Sequence, residues 1–226
     1  MSDRRAAAAD IVRTCRRLYQ RGLIAGPDGN VSVRLGRDVI LATPAGMSKV
    51  DVTAGDLVEV RLDGSRRRGR HAPSSELAMH LAAYNVRPDV MAVVHAHPPV
   101  ATAFTVAGES LMDGILPEVI LQMGEVPLVP YVEPGTQALA DALAPHFAKH
   151  NALLMANHGA TTLGSSLCIA YQRMESLEHA AGILWHARML GNVNRLGTDA
   201  VQVLLERSWL MAEDDARMPR QRTGRR

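Results

Sequence analysis

The segment Val90–His97 constrains the fold of this chain most. It is short and mostly apolar, carries valines at 90, 93 and 94, and runs straight into Pro98-Pro99. A run of this length, rich in β-branched residues and closed by prolines, reads as a buried strand. It ends on His95-Ala96-His97. Residues two apart in a strand share a face, so both imidazoles project together and can chelate one cation. The competing reading is a pair of hydrogen-bonded core histidines, and one histidine alone would favour it. Two in register beside a proline stop tip the balance toward a metal.

The rest of the chain supplies partners for such a strand. Apolar residues at Ala8, Ile11, Val12, Cys15, Leu18 and Tyr19 have helical spacing, with Gly22 as a stop. Gly26-Pro27-Asp28-Gly29-Asn30 is a dense set of turn formers. Val31–Arg34, Asp38–Ala42 and Leu57–Leu62 then read as strands. Ser74-Ser75-Glu76 opens a helix to about Asn85, with either serine as N-cap. Val126–Tyr131 and Ala152–Asn157 read as strands, and Gly135 to about Lys149 as a helix. Ser166–Leu190 is the longest predicted helix, with Leu167, Ala170, Tyr171, Met174, Leu177, Ala181, Leu184 and Trp185 on one stripe. A last helix spans Asp199 to about Met211. Strands and helices do not alternate regularly, so the expectation is one α/β domain over residues 1–212 with mixed strand connections. The arginine-rich end, 213–226, is expected to be a disordered tail.

Composition removes several classes of function. The formal net charge of +2 is too small to argue for nucleic acid. Much of the positive charge sits at Arg66–Arg70 and Arg217–Arg226, both read as solvated. Cys15 and Cys168 form no CxxC and fall in predicted helices, so both are expected to be buried free thiols in a reducing compartment. Asp10 and Arg13 interrupt the N-terminal alanines, which rules against a signal peptide, and no apolar stretch reaches membrane-spanning length. The expectation is a cytoplasmic protein acting on a small molecule, with neither nucleic acid nor membrane as partner.

Two further motifs can complete a metal site. Asn157-His158-Gly159 ends another apolar strand, and His158 would bring the ligands to three neutral nitrogens, the number typical of a catalytic zinc with an open position. Manganese, iron or cobalt would also accept this set. The spacing fits neither structural zinc patterns nor the His-Glu-x-x-His helix. Ser74-Ser75-Glu76, at a helix start, offers hydroxyls and free N–H groups to an anion; Glu76 alone would read as plain dipole complementation. Gly29-Asn30 can add donors, although in isolation it is a tight turn. His179 and His186 share a polar helix stripe with Gln172, Glu175 and Gly182 and read as a solvated face or a subunit interface.

Gly29-Asn30-Val31-Ser32, Thr43-Pro44-Ala45-Gly46, Pro73-Ser74-Ser75-Glu76, His95-Ala96-His97-Pro98 and Asn157-His158-Gly159 resemble, in order and spacing, the class II aldolase/adducin family. The resemblance covers roughly Ala8 to Leu190. It implies an α/β/α sandwich around a largely antiparallel sheet, and a homotetramer with active sites between subunits. It also implies one divalent cation per subunit, zinc or manganese foremost, on His95, His97 and His158, with Glu76 as acid/base. Asn30, Gly46, Ser74 and Ser75 match positions that hold the phosphate in the family's sugar-phosphate enzymes.

Three departures bear on substrate. Pro27 and Ala45 stand where those enzymes have phosphate-contacting threonines, and Leu116-Pro117-Glu118 stands where they have a catalytic tyrosine. Each lost donor to a dianion costs about 1.5–3 kcal/mol if unreplaced. The expectation therefore leans to decarboxylation of a non-phosphorylated, hydroxylated aromatic or heteroaromatic acid. Aldol cleavage or 4-epimerisation of a phosphorylated ketose is the alternative. A non-catalytic adducin-like module is disfavoured, because such relatives lose the histidines that this chain keeps.

Overall fold

Helix α1 (Arg4–Gln20) buries Ala7, Ala8, Ile11, Cys15 and Leu18, the stripe its spacing requires. It stops at Gly22, whose φ of +68° is strained for any residue with a Cβ. Gly22 N–H donates to Tyr19 O and Leu23 N–H to Leu18 O, the paired bonds that close a helix C-terminus. The computed structural model describes residues 4–111 and 114–217, with side chains to 208.

Strands β1 (Asn30–Arg34), β2 (Val39–Ala42), β3 (Val58–Arg61), β4 (Arg66–Arg68), β5 (Ala92–Ala96), β6 (Leu128–Val129), β7 (Ala152–Met155) and β8 (Gly159–Gly164) form one sheet, in the order β4-β3-β2-β1-β5-β8-β7-β6. Every pairing is antiparallel except β6 with β7. Between and after the strands run α2 (Leu77–Val86), α3 (Pro99–Val106), α4 (Pro117–Met123), α5 (Gln137–Phe147), α6 (Leu167–Met189) and α7 (Thr198–Arg217).

Helices cover both faces. On one, Val31, Leu41, Ala92, Val94, Ala96, Leu154 and Ala160 pack against α1, α3, α4 and α6. On the other, Ile40, Val58, Val60, Val93, Leu153 and Leu163 pack against α2 and α5. Alternation along β5 therefore sends Val93 and His95 to the α2 side. This is the expected α/β/α sandwich on a largely antiparallel sheet. No helix among the described residues is long and apolar enough to cross a membrane.

Several details differ from the sequence expectation. Strand β8 has no hydrophobic alternation because both its faces are buried. Its Gly164 lets α6 pack close, since a Cβ there would stand 2.5 Å from Ala170 N. Arg66–Arg68 is solvated as expected, yet it forms an exposed edge strand, where charge discourages further pairing. Helices α3 and α4 were not foreseen. Each begins with a proline at its first turn, a position where the missing N–H costs nothing. Helix α2 starts only at Leu77, so neither serine is its N-cap; Glu76 holds that position. Trp185 is 49% exposed and does not join the core stripe. Cys168 is exposed, and only Cys15 is buried. Helix α7 continues past Met211 to Arg217; the arginine-rich end from 218 lies outside the described residues.

Candidate metal centre

The sheet register brings the histidines together. Ala96 pairs with Ala160, so the chain after Ala96 and the chain before Ala160 leave the sheet side by side. His97 lies on the first and His158 on the second. The β7–β8 turn that carries His158 is tight: Met155 pairs with Gly159, His158 N–H donates to Met155 O at 3.1 Å, and Asn157 takes a φ of +54°. Asparagine tolerates that left-handed conformation better than most residues. His158 therefore sits in a hairpin turn, not on the strand end the sequence reading gave it.

Close approach at this turn requires glycine. A Cβ on Gly159 would stand 2.6 Å from both Ala96 O and His97 Cδ2. Gly159→Ala is expected to push His97 out of place and weaken zinc binding about 10–100-fold, the range seen when a ligand's support is disturbed. Competition with a chromogenic chelator measures it; unchanged affinity would show that His97 is not held by this contact.

The three rings face one another. Their centroids lie 4.8 to 5.3 Å apart, and one nitrogen from each falls within 4.8 Å of the others. His95, fully buried, donates Nδ1–H to Ala160 O at 2.9 Å. That bond fixes the tautomer and turns the Nε2 lone pair toward His97 Nε2, 3.1 Å away. Asp28 Oδ2 lies 3.5 Å from His97 Nδ1 and orients that ring. Burial, then the proximity of His95 and His158, pushes the His97 pKa down to about 4, so the ring is neutral at physiological pH.

Glu76 completes the group. Its Oε1 is 2.9 Å from His158 Nε2 and its Oε2 is 3.3 Å from His95 Nε2. Burial pushes this carboxyl up, but His95 and His158, when protonated, outweigh burial and hold it well below the usual carboxylate range. Oε1 nevertheless lacks hydrogen-bond alignment, and it and His158 Nδ1 are buried without a hydrogen-bond partner. Buried polar atoms are rarely left so. Three imidazoles with Glu76 beside them, its Oε1 left without a hydrogen-bond partner, are a donor set that fits a divalent cation with an open position.

Of the remaining candidates, Asn30 and Ser74 lie against Glu76. Asn30 is buried in β1 and pairs with His95 across the sheet. Its Nδ2 donates to Glu76 Oε2 at 2.9 Å and to Ser74 Oγ at 3.2 Å. The loops of Gly46 and Ser74 are tied by the Pro44–Pro73 bridge and by Ala45 N–H on Ala72 O; Gly46 and Ser75 are exposed. Lys49, only 2% exposed, was missed in the sequence. Its Nζ donates to Pro27 O at 2.6 Å and Met47 O at 2.9 Å, which ties the loop before Asn30 to the loop after Gly46. Burial pushes its pKa down. His179 and His186 lie elsewhere, on an open cavity with Arg21, Glu175 and Glu178.

His80 was also missed as a site residue. It is buried, and burial, then His95, pushes its pKa down to about 3. The unfolded chain takes a proton near pH 6.5 that the folded chain refuses until about pH 3. Folding stability is therefore full above about pH 6.5 and falls as pH drops through that window, by about 2 kcal/mol at pH 5 from this group. Urea midpoints at pH 7 and pH 5, with His80→Gln flattening the difference, measure it; an equal slope in the variant would contradict it.

Comparison with known proteins places this arrangement. Residues 9–185 match the family model described as the class II aldolase and adducin N-terminal domain. The chain belongs to that family. This class II aldolase relative is 35% identical over 189 residues to a 3-oxo-tetronate 4-phosphate decarboxylase of Pectobacterium atrosepticum, covering 82% of this chain and 86% of that one. It is 34% identical to an L-fuculose phosphate aldolase of Methanococcus maripaludis, over 76% of this chain and 92% of that one. The crystal structure of YgbL from Escherichia coli superposes with a TM-score of 0.84 at 32% identity, covering 89% of this chain and 99% of that one. Relatives named as decarboxylases and as aldolases mark this class II aldolase relative as a metal-dependent lyase acting on a small molecule.

Proposed function

We propose that this lyase decarboxylates a phosphorylated 3-oxo sugar acid, with His95, His97 and His158 as ligands to one divalent cation and Glu76 as the acid/base. The observation that carries the choice of substrate is the 35% identity to a 3-oxo-tetronate 4-phosphate decarboxylase across 86% of that enzyme. It moves the reading away from the non-phosphorylated aromatic acid expected from Pro27 and Ala45. Asn30, Gly46, Ser74 and Ser75 are the proposed anion-binding positions, the last three on loops joined at Pro44–Pro73.

A bound cation, zinc or manganese, supplies Lewis-acid stabilisation of the oxyanion that forms when the carbon–carbon bond breaks. The chain's own residues handle the proton. The bond between carboxylate and C2 breaks, carbon dioxide leaves, and the electron pair passes to the C3 carbonyl oxygen. Glu76, ionised at rest, takes up from solvent the one proton the reaction consumes and delivers it to C2 as the C3 carbonyl re-forms. Carbon dioxide needs no proton as it departs. That suits a chain reading Leu116-Pro117-Glu118 at the position of the aldolases' tyrosine.

Aldol cleavage of a phosphorylated ketose is the second reading, favoured by the 34% identity to an L-fuculose phosphate aldolase. A panel on metal-replete protein separates the readings, offering 3-oxo-tetronate 4-phosphate, L-fuculose 1-phosphate and a hydroxylated aromatic dicarboxylate. Carbon dioxide from the first alone is expected; aldehyde from the second, or carbon dioxide from the third, would replace this proposal. We further propose a cytoplasmic homotetramer. Trp185, Met189 and Leu190, all exposed at the end of α6, are apolar surface available for assembly. Light scattering should return about four times 24.4 kDa; a monomer mass would refute the tetramer.

A further inference from the structure

We propose that His80 is a positioning residue that holds Glu76 in its reactive orientation through Asn30. This rests on the reading of Glu76 as the acid/base.

The geometry begins with matched periods. Asn30, Ser32 and Arg34 alternate along β1 and share a face. Glu76, His80 and Tyr84 recur at four along and just before α2. Two strand residues advance about 6.8 Å and four helix residues about 6 Å, so the two rows meet rung by rung. Asn30 reaches Glu76 and His80, Ser32 reaches His80 and Tyr84, and the Arg34 guanidinium donates Nη2–H to Tyr84 O at 2.7 Å.

Donor and acceptor chemistry gives this row one direction. The Glu76 carboxylate can only accept, so it takes an N–H from Asn30 Nδ2, and the other Nδ2 hydrogen goes to Ser74 Oγ. Asn30 Oδ1 therefore faces His80 Nε2, and because a carbonyl oxygen only accepts, Nε2 must carry the proton. His80 Nδ1 then accepts from the Ser32 hydroxyl at 2.6 Å, and Ser32 Oγ accepts from the Tyr84 hydroxyl at 2.9 Å. From Tyr84 through Ser32, His80 and Asn30, each step donates toward Glu76.

The row has two consequences at the reacting carboxylate. Flipping the Asn30 amide would set its oxygen against the carboxylate and its NH₂ against the His80 N–H, so His80 blocks the flip. Asn30 also occupies Oε2. The proton-carrying atom is then Oε1, the buried oxygen without a hydrogen-bond partner beside His158. The side-chain bonds of His80 run to Ser32 and Asn30, so it acts on Glu76 through Asn30.

Two measurements test this. In protein labelled with ¹⁵N-histidine and loaded with zinc, His80 at pH 7 should be neutral with its proton on Nε2. A proton on Nδ1, or an imidazolium, overturns the proposal without any variant having to fold. In turnover of 3-oxo-tetronate 4-phosphate, His80→Leu should lower kcat about 10–100-fold, with KM and zinc stoichiometry unchanged. His80→Gln keeps a donor for Asn30 and an acceptor for Ser32, and should recover most of the loss. A His80→Leu protein as fast as the native one, beside an inactive Glu76→Gln, overturns the positioning role alone. An active Glu76→Gln overturns the Glu76 reading instead, whatever His80 shows.

Discussion

A His95→Ala protein is expected to bind zinc at least about a hundredfold more weakly than the native chain, and to lose turnover with the metal. Zinc held by four ligands is worth roughly 10–16 kcal/mol at neutral pH, so each ligand carries roughly 3 kcal/mol, or about two powers of ten. His95 should carry its full share. It is completely buried, and the Nδ1–H bond to Ala160 O holds its ring before any metal arrives. The fold should survive, because the backbone of β5 remains paired with β1 and β8. Metal content by plasma emission after dialysis, with circular dichroism as the folding control, checks this. Stoichiometric zinc in a folded His95→Ala protein would remove His95 from the ligand set.

Glu76→Gln should separate chemistry from binding. The amide keeps the shape of the carboxylate and an oxygen that can accept the Asn30 N–H now made to Oε2, so metal and substrate binding should be preserved. What disappears is a group able to take up and return a proton, and such groups contribute about 10²- to 10⁴-fold to rate. The expected result is kcat reduced by that factor, KM changed by less than about threefold, and unaltered zinc content. Loss of zinc would recast Glu76 as a ligand, and full activity would remove it from the proton transfer.

The sequence shows the chemistry of this centre more readily than its supports. His95 is legible because strand periodicity is strict, and His97 because the prolines mark where the strand ends, just past Ala96. His158 is legible as a partner but not as a turn residue, since the tight hairpin depends on Asn157 accepting a positive φ. Strand β8 escapes because burial on both faces removes the alternation that reveals a half-buried strand. Lys49 and His80 escape for a different reason. A buried lysine tied to a carbonyl 22 residues away, or a histidine bonded to an asparagine 50 residues away, takes its meaning from a partner remote in the chain. The spacing of Glu76, His80 and Tyr84 by fours was the available signal, and it reads equally well as an ordinary helix face until the polar row of β1 is set beside it.

The central assignment is one cation on His95, His97 and His158. Anomalous diffraction at the zinc edge, from crystals of zinc-loaded protein, tests it most directly. The expected result is one strong peak about 2.0–2.1 Å from a nitrogen of each of the three rings. A peak at His179 and His186 instead, or none at the triad under saturating zinc, would contradict it.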